Sequence, residues 1–146
     1  MNTVKRWRKS NFQSSQNNPL HHKALWCTMI FSSLIGTYLD LWMVGQGYNA
    51  FPNRPFPNIF PIHILFTLLV LPVATVVVIS LFRAFTSFIQ RGLISLSIFL
   101  FIPIFEHVSG LIGVFTHSND WNHFYSSFGY VIFTFIIWKF YLWMSA

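Results

Sequence analysis

Four apolar runs, residues 24–44, 62–82, 92–115 and 124–143, take up most of this chain and leave little between them. Crossing a hydrocarbon core of about 30 Å takes about 20 apolar residues in a helix, and each run is near that length. The expected fold is therefore all-α, an integral membrane bundle of four transmembrane helices with no separate soluble domain. Composition agrees: 54% of residues are hydrophobic, 20% aromatic and only 8% charged, where soluble domains carry about a quarter charged residues.

The formal charge of +6 would suggest nucleic acid in a soluble protein. Here the basic residues flank apolar runs and no nucleic-acid motif accompanies them, so they are topology signals and no nucleic-acid partner is expected. Residues 1–23 hold Lys5, Arg6, Arg8, Lys9 and Lys23 around an Asn/Gln/Ser stretch that cannot bury enough apolar surface to order itself. They read as a disordered basic cytoplasmic tail. Near anionic lipid each such charge is worth about 1 kcal/mol, so the tail can lie on the membrane surface as well as set orientation. The first run follows those polar residues and lacks a small-residue cleavage site, which makes it a retained signal-anchor helix. Cys27 is the only cysteine, so no intramolecular disulfide is available, and packing is its expected role.

Placing the tail, the loop from Arg83 to Arg91 and the C-terminus in the cytoplasm puts every lysine and arginine except Arg54 on that side. Both termini are accordingly expected to be cytoplasmic. In the first span Ser32, Ser33, Gly36, Thr37 and Asp40 recur at steps of three and four, a small and polar face that should turn into the bundle. Residues 45–61 interleave four prolines with Phe51, Phe56 and Phe60, and so predict a stiff extended loop against the headgroup interface. Pro72 should kink the second span without ending it, because a neighbouring helix can satisfy the carbonyl that proline leaves without a donor. The clean apolar stretch of the third span, 93–105, is too short to cross. Either the helix continues through Glu106 and His107, which brings Glu106, Gly110, Gly113 and His117 onto one face and is the favoured reading, or the chain breaks near Pro103 and 108–115 lies along the interface as an amphipathic or re-entrant piece. The last span carries a second polar stripe of His123, Ser127, Tyr130 and Thr134.

The chain has three acidic residues, Asp40, Glu106 and Asp120, and this topology gathers all of them at the non-cytoplasmic end with His63, His107, His117 and His123. Asp40 and Glu106 should lie several ångströms below the surface, where an ionised group is costly unless paired, hydrated or turned inward. The leading reading is a polar network of Asp40, Arg54, His63, Glu106 and His107, in which the Arg54 guanidinium binds a carboxylate and pins the proline loop over the helix ends. A second reading is a small proton-linked transporter or carrier using Asp40 and Glu106, with protons passed to His107 or His63. A third is a metal-dependent membrane enzyme with a metal ion at His117, Asp120 and His123, although 117 and 123 diverge by about 120° on a regular helix. Ser118, Ser126 and Ser127 lie near histidines but lack a nucleophile elbow, so no catalytic residues and no cofactor are assigned. Trp121, Tyr125 and Tyr130 read as an interfacial aromatic belt rather than a ligand cage.

The stretch YNAFPNRPFPNIFPIHILFTLLVLP at 48–72 and the stretch GVFTHSNDWNHFYSSFGYVIFTFIIWKFYLW at 113–143 together resemble a family of small uncharacterised multi-pass membrane proteins from spore-forming Gram-positive bacteria. The most specific pieces are F-P-x-R-P-F-P at 51–57 and H-S-x-x-W-x-H-x-Y-S-x-x-G-Y at 117–130, and the resemblance spans 38–143. It implies a bacterial plasma-membrane location and supplies no activity or site residues; the basic tail lies outside it. The expected function is that of a non-enzymatic membrane protein acting through the lipid bilayer, a membrane-protein partner or a homo-oligomer, with the carrier and the metal enzyme as alternatives.

Overall fold

Backbone amides that cross lipid must be bonded within their own segment, and this chain meets the requirement with four helical spans. The computed structural model describes residues 19–118 and 121–146. In chain order the elements are α1 (Pro19–Gly45), β1 (Asn49–Ala50), a π-helical turn (Phe66–Val70) that leads directly into α2 (Leu71–Ala84), α3 (Phe88–Leu111), β2 (Thr116–His117) and α4 (His123–Met144). Each of the four spans, counting the π turn with α2, is long and apolar enough to cross a membrane. The protein is a multi-pass membrane bundle.

Its interior holds small polar side chains beside apolar ones, and much of its surface is apolar. Thr28, Ser32, Thr67 and Ser127 are fully buried, whereas Trp26, Leu34, Ile89 and Leu111 are more than 60% exposed. Lipid offers no hydrophobic drive to hide leucine, so helices associate through small side chains that allow close approach. Buried hydroxyls stay satisfied locally: Thr28 donates to Ala24 O (2.7 Å) and Thr75 to Leu71 O (2.9 Å). Gly36 on α1 faces Leu71 so closely that any Cβ there would collide with its side chain. The small face expected on the first span does turn inward.

Residues 19–23, expected in the tail, belong to α1. Buried His21 is hydrogen-bonded through Nδ1 to the Tyr141 hydroxyl of α4, which brings this part of the first span and the end of the last to one end of the bundle. The same end holds a core of Ala24, Ile79, Phe82, Trp138 and Tyr141. Arg91 closes it: its Nε donates to Phe82 O (3.1 Å) and Phe85 O (2.9 Å) at the end of α2, and its guanidinium lies 5.0 Å from the Trp138 ring centre. The basic tail through residue 18 lies outside the described residues.

Pro72 produces the one irregularity within a span. In the π turn the Leu71 amide reaches back five residues to Phe66 O. The next amide in that register belongs to residue 72, and proline has none to give. Ser33 of α1 supplies the missing donor, its hydroxyl bonding Thr67 O at 2.8 Å. The expected kink is therefore a widened turn whose orphaned carbonyl is satisfied by a neighbouring helix.

α3 continues through Pro103 and Glu106 to Leu111, as the continuous reading requires. It does not reach residue 115: the chain turns at Gly113, which adopts φ 72°, and Gly113 and His117 leave the helical face. The two loops at this end then join. Asn49 pairs with His117 and Ala50 with Thr116 in a short antiparallel ladder. Further bonds extend it on both sides, from Asn53 N to Gly113 O (2.9 Å) and from Ser118 N to Tyr48 O (2.9 Å).

Candidate functional site

α1 packs along α2 and α4, and α3 packs mainly on α4, so α1 and α3 barely meet. Toward the loop end the space between them stays open as a cavity of about 290 Å³, roofed by the paired loops. Asp40 from α1, Glu106 from α3, Tyr130 from α4 and His117 from β2 all contribute to its lining. A smaller cavity of about 50 Å³ adjoins it, shares Asp40, Glu106 and Tyr130, and adds His63 and Ser109. Asp40 precedes the end of α1 by five residues and Glu106 precedes the end of α3 by five. At 1.5 Å per residue both sit about 7 Å below the helix ends.

Glu106 is 5% exposed, and it and Ser109 are the buried residues of α3. Its Oε2 lies 3.1 Å from His117 Nε2, at ion-pair distance. The other ring nitrogen, Nδ1, is 2.8 Å from Asn49 Oδ1. An amide oxygen can only accept, so Nδ1 carries a hydrogen and Nε2 is the atom that faces the carboxyl group with or without a proton. The imidazole is held flat against Trp121 (5.1 Å between ring centres, 16° between planes) and edge-on to Phe115 (4.5 Å, 79°). The loop ladder thus fixes the histidine that meets the membrane carboxyl.

Asp40 has a different setting. It is half-buried, lines both cavities, and makes no hydrogen bond or ion pair with any described residue. Tyr130 is also half-buried with its hydroxyl making no hydrogen bond to a described residue, and both carboxyl groups lie near enough to act on it electrostatically. Phe66, Phe115, Trp121, Tyr125 and Phe133 add aromatic rings to the wall, beside Leu39, Met43 and Leu71.

The network expected from the sequence is therefore rebuilt. Asp40 and Glu106 do come together at one cavity, and His63 lines the smaller one, where its Nδ1 accepts from Phe66 N–H (3.3 Å) and caps the start of the second span. Arg54 is not their cation. Its Nε donates to Phe60 O (2.8 Å), its Nη1 to Phe51 O (2.7 Å) and its Nη2 to Pro57 O (3.4 Å), so the guanidinium gathers the carbonyls of its own proline loop. Prolines leave this loop short of amides, and the guanidinium bonds three of its carbonyls. His107 is exposed and outside both cavities, because the residue next to Glu106 on a helix points about 100° away.

Of the metal set proposed from the sequence, His117 is committed to Asn49 and Glu106, while Asp120 and the side chain of His123 lie outside the described residues. Among the described residues no three ligating side chains converge. Ser126 lines the cavity and receives the Trp121 indole N–H (3.0 Å), a positioning bond for the ring. Trp121 and Tyr130, expected in an interfacial belt, instead face the cavity; Tyr125 lines it while staying 63% exposed. Asn49, which orients His117, was missed, and no local signal marks it, since its role exists only once two loops 68 residues apart are paired. No protein-family model matches this chain, and no curated protein or solved structure matches it.

Proposed function

We propose that this is a non-enzymatic membrane protein that binds a small ligand at the loop end of its bundle and exchanges it for protons held by Asp40 and Glu106, as a proton-linked carrier does. One observation carries this reading: two carboxyl groups, from helices that barely meet, line the same cavity inside membrane-spanning segments. A carboxyl group at that depth is tolerated when protonated, paired or hydrated, and ionisable residues placed there mark ion and proton pathways. Glu106 has His117 beside it, whereas Asp40 has only the cavity. A purely structural network centred on Arg54 fits less well, because that guanidinium is occupied by its own loop.

The charge bias supports cytoplasmic termini with the cavity on the opposite side, and the family resemblance supports a bacterial plasma membrane. A protease-cleavable tag after Ala146 should then be protected in intact cells; cleavage without permeabilisation would reverse the orientation. Four spans enclose a narrow path, so a complete route across the membrane calls for a second copy, which native mass spectrometry of nanodisc-held protein would count.

Infrared spectra of the reconstituted protein across a pH series test the proton exchange. A carboxylic C=O band should fade as pH rises and be lost or shifted in Asp40→Asn or Glu106→Gln. If no such band titrates, or if both variants keep it unaltered while remaining helical by circular dichroism, the carrier reading is wrong.

A further inference from the structure

The geometry points to a ligand class: a small lipophilic organic cation, an ammonium head on a single apolar or aromatic body. This rests on the carrier reading for what leaves the site, but the cation selectivity follows from the cavity itself.

Charge is the first argument. Among the described residues that line the main cavity, the acids are Asp40 and Glu106 and the only base is His117; no lysine or arginine is present. Fully ionised, these groups sum to one net negative charge, which one monovalent cation cancels. An anion would meet two carboxylates, and Arg54, the nearby guanidinium in sequence, is turned to Phe51 O, Pro57 O and Phe60 O.

Unsatisfied polarity is the second. The Asp40 carboxyl and the Tyr130 hydroxyl both line the cavity without a hydrogen bond to any described residue. A purely apolar guest would leave them desolvated and unbonded, at a cost that a charged or donor head group removes. Phe115, Trp121, Tyr125 and Phe133 also line the cavity, and an aromatic ring attracts an ammonium group placed over its face through its quadrupole.

Access and size are the third. Leu39 of α1 and Tyr125 and Gly129 of α4 line the cavity yet are exposed, and all three lie within membrane spans. The cavity is therefore open at these residues, sideways toward lipid, and admits a molecule that first partitions into the bilayer. A volume of about 290 Å³ is at the lower limit for small-molecule sites, enough for one ring and its head group and too little for a two-tailed lipid. Binding then balances as an exchange: protonated Asp40 and a cation give the Asp40 carboxylate paired with that cation, and one proton passes to the water at the loop end.

The test uses the full chain in nanodiscs with benzyltrimethylammonium, whose quaternary nitrogen cannot lose a proton, and neopentylbenzene, its neutral isostere, both titrated calorimetrically with proton release recorded in weakly buffered solution. The expected result is saturable binding of the cation, no competition by the neutral compound, at least a tenfold weaker affinity in Asp40→Asn and a severalfold loss in Tyr125→Leu. If the neutral compound binds as tightly, or the cation does not bind while the carboxylic infrared band still titrates, the cation inference is overturned and the carrier reading stands with another ligand. If the cation binds through Asp40 but releases no proton, the cation site stands and proton exchange is overturned. Because the comparison of cation with neutral compound is made on the unmodified protein, a variant that fails to fold does not remove the test.

Discussion

Replacing Ser33 with alanine should destabilise the bundle through a carbonyl 34 residues away. The Ser33 hydroxyl bonds Thr67 O at 2.8 Å, and Ser33 and Thr67 are 9% and 0% exposed. Interhelical hydrogen bonds in membranes are worth about 0.6 kcal/mol on average and about 1.7 at most. Leaving a buried carbonyl without any donor costs about 1 to 3 kcal/mol. Thr67 O belongs to the second case, since the amide that would have served it is absent at Pro72. Ser33→Ala is therefore expected to cost about 1.5 to 2 kcal/mol, read from reversible unfolding in mixed detergent and dodecyl sulfate micelles followed by circular dichroism. The discriminating measurement is the same substitution in a Pro72→Ala background. Alanine restores the amide, so the serine should then matter by only about 0.5 kcal/mol, a coupling of about 1 kcal/mol between residues on different helices. Equal costs in the two backgrounds would refute the claim that serine replaces the proline's missing donor.

Other expectations concern the elements that shape the cavity. Gly36→Ala should destabilise by about 1 to 3 kcal/mol through overpacking on Leu71, with much of that recovered when Leu71 is also shortened to alanine, in the same unfolding assay. With Cys27 replaced by alanine, the pair Ala50→Cys and Thr116→Cys should form an intramolecular disulfide visible as a mobility shift, because directly opposed strand residues lie within about 5.5 Å and disulfides span about 4.4 to 6.8 Å between Cα atoms. Arg54→Ala should leave the spans intact but raise amide exchange across residues 51–60, where Phe56 is held at φ 53° beside Pro55 and Pro57; unchanged exchange would show that the guanidinium does not organise the loop. Asn49→Ala should release the His117 ring from its fixed orientation, seen as a second set of imidazole resonances in spectra of selectively labelled protein; a single unshifted set would mean the ladder alone positions the ring.

Much of this molecule is written locally. Each apolar run must satisfy its own amides in lipid, so run length alone determines four spanning helices, and the three-and-four spacing of Ser32, Ser33 and Gly36 determines which face of α1 turns inward. The convergence of Asp40 and Glu106 was legible for the same reason: equal depth on two helices follows from counting residues. What surrounds them was not. Arg54 and His107 are the obvious partners by charge and proximity in sequence, yet Arg54 is drawn to the carbonyls of its own proline loop, and His107 is turned aside by helical geometry. His117 and Asn49 reach the site only because a two-residue ladder joins loops far apart in the chain, and Trp121 and Tyr130 form a cavity wall only because α1 and α3 fail to close on each other. Helix length and inward face are properties of a segment and its solvent, while the identity of a carboxylate's neighbour depends on how separate segments pack, which only the tertiary structure decides.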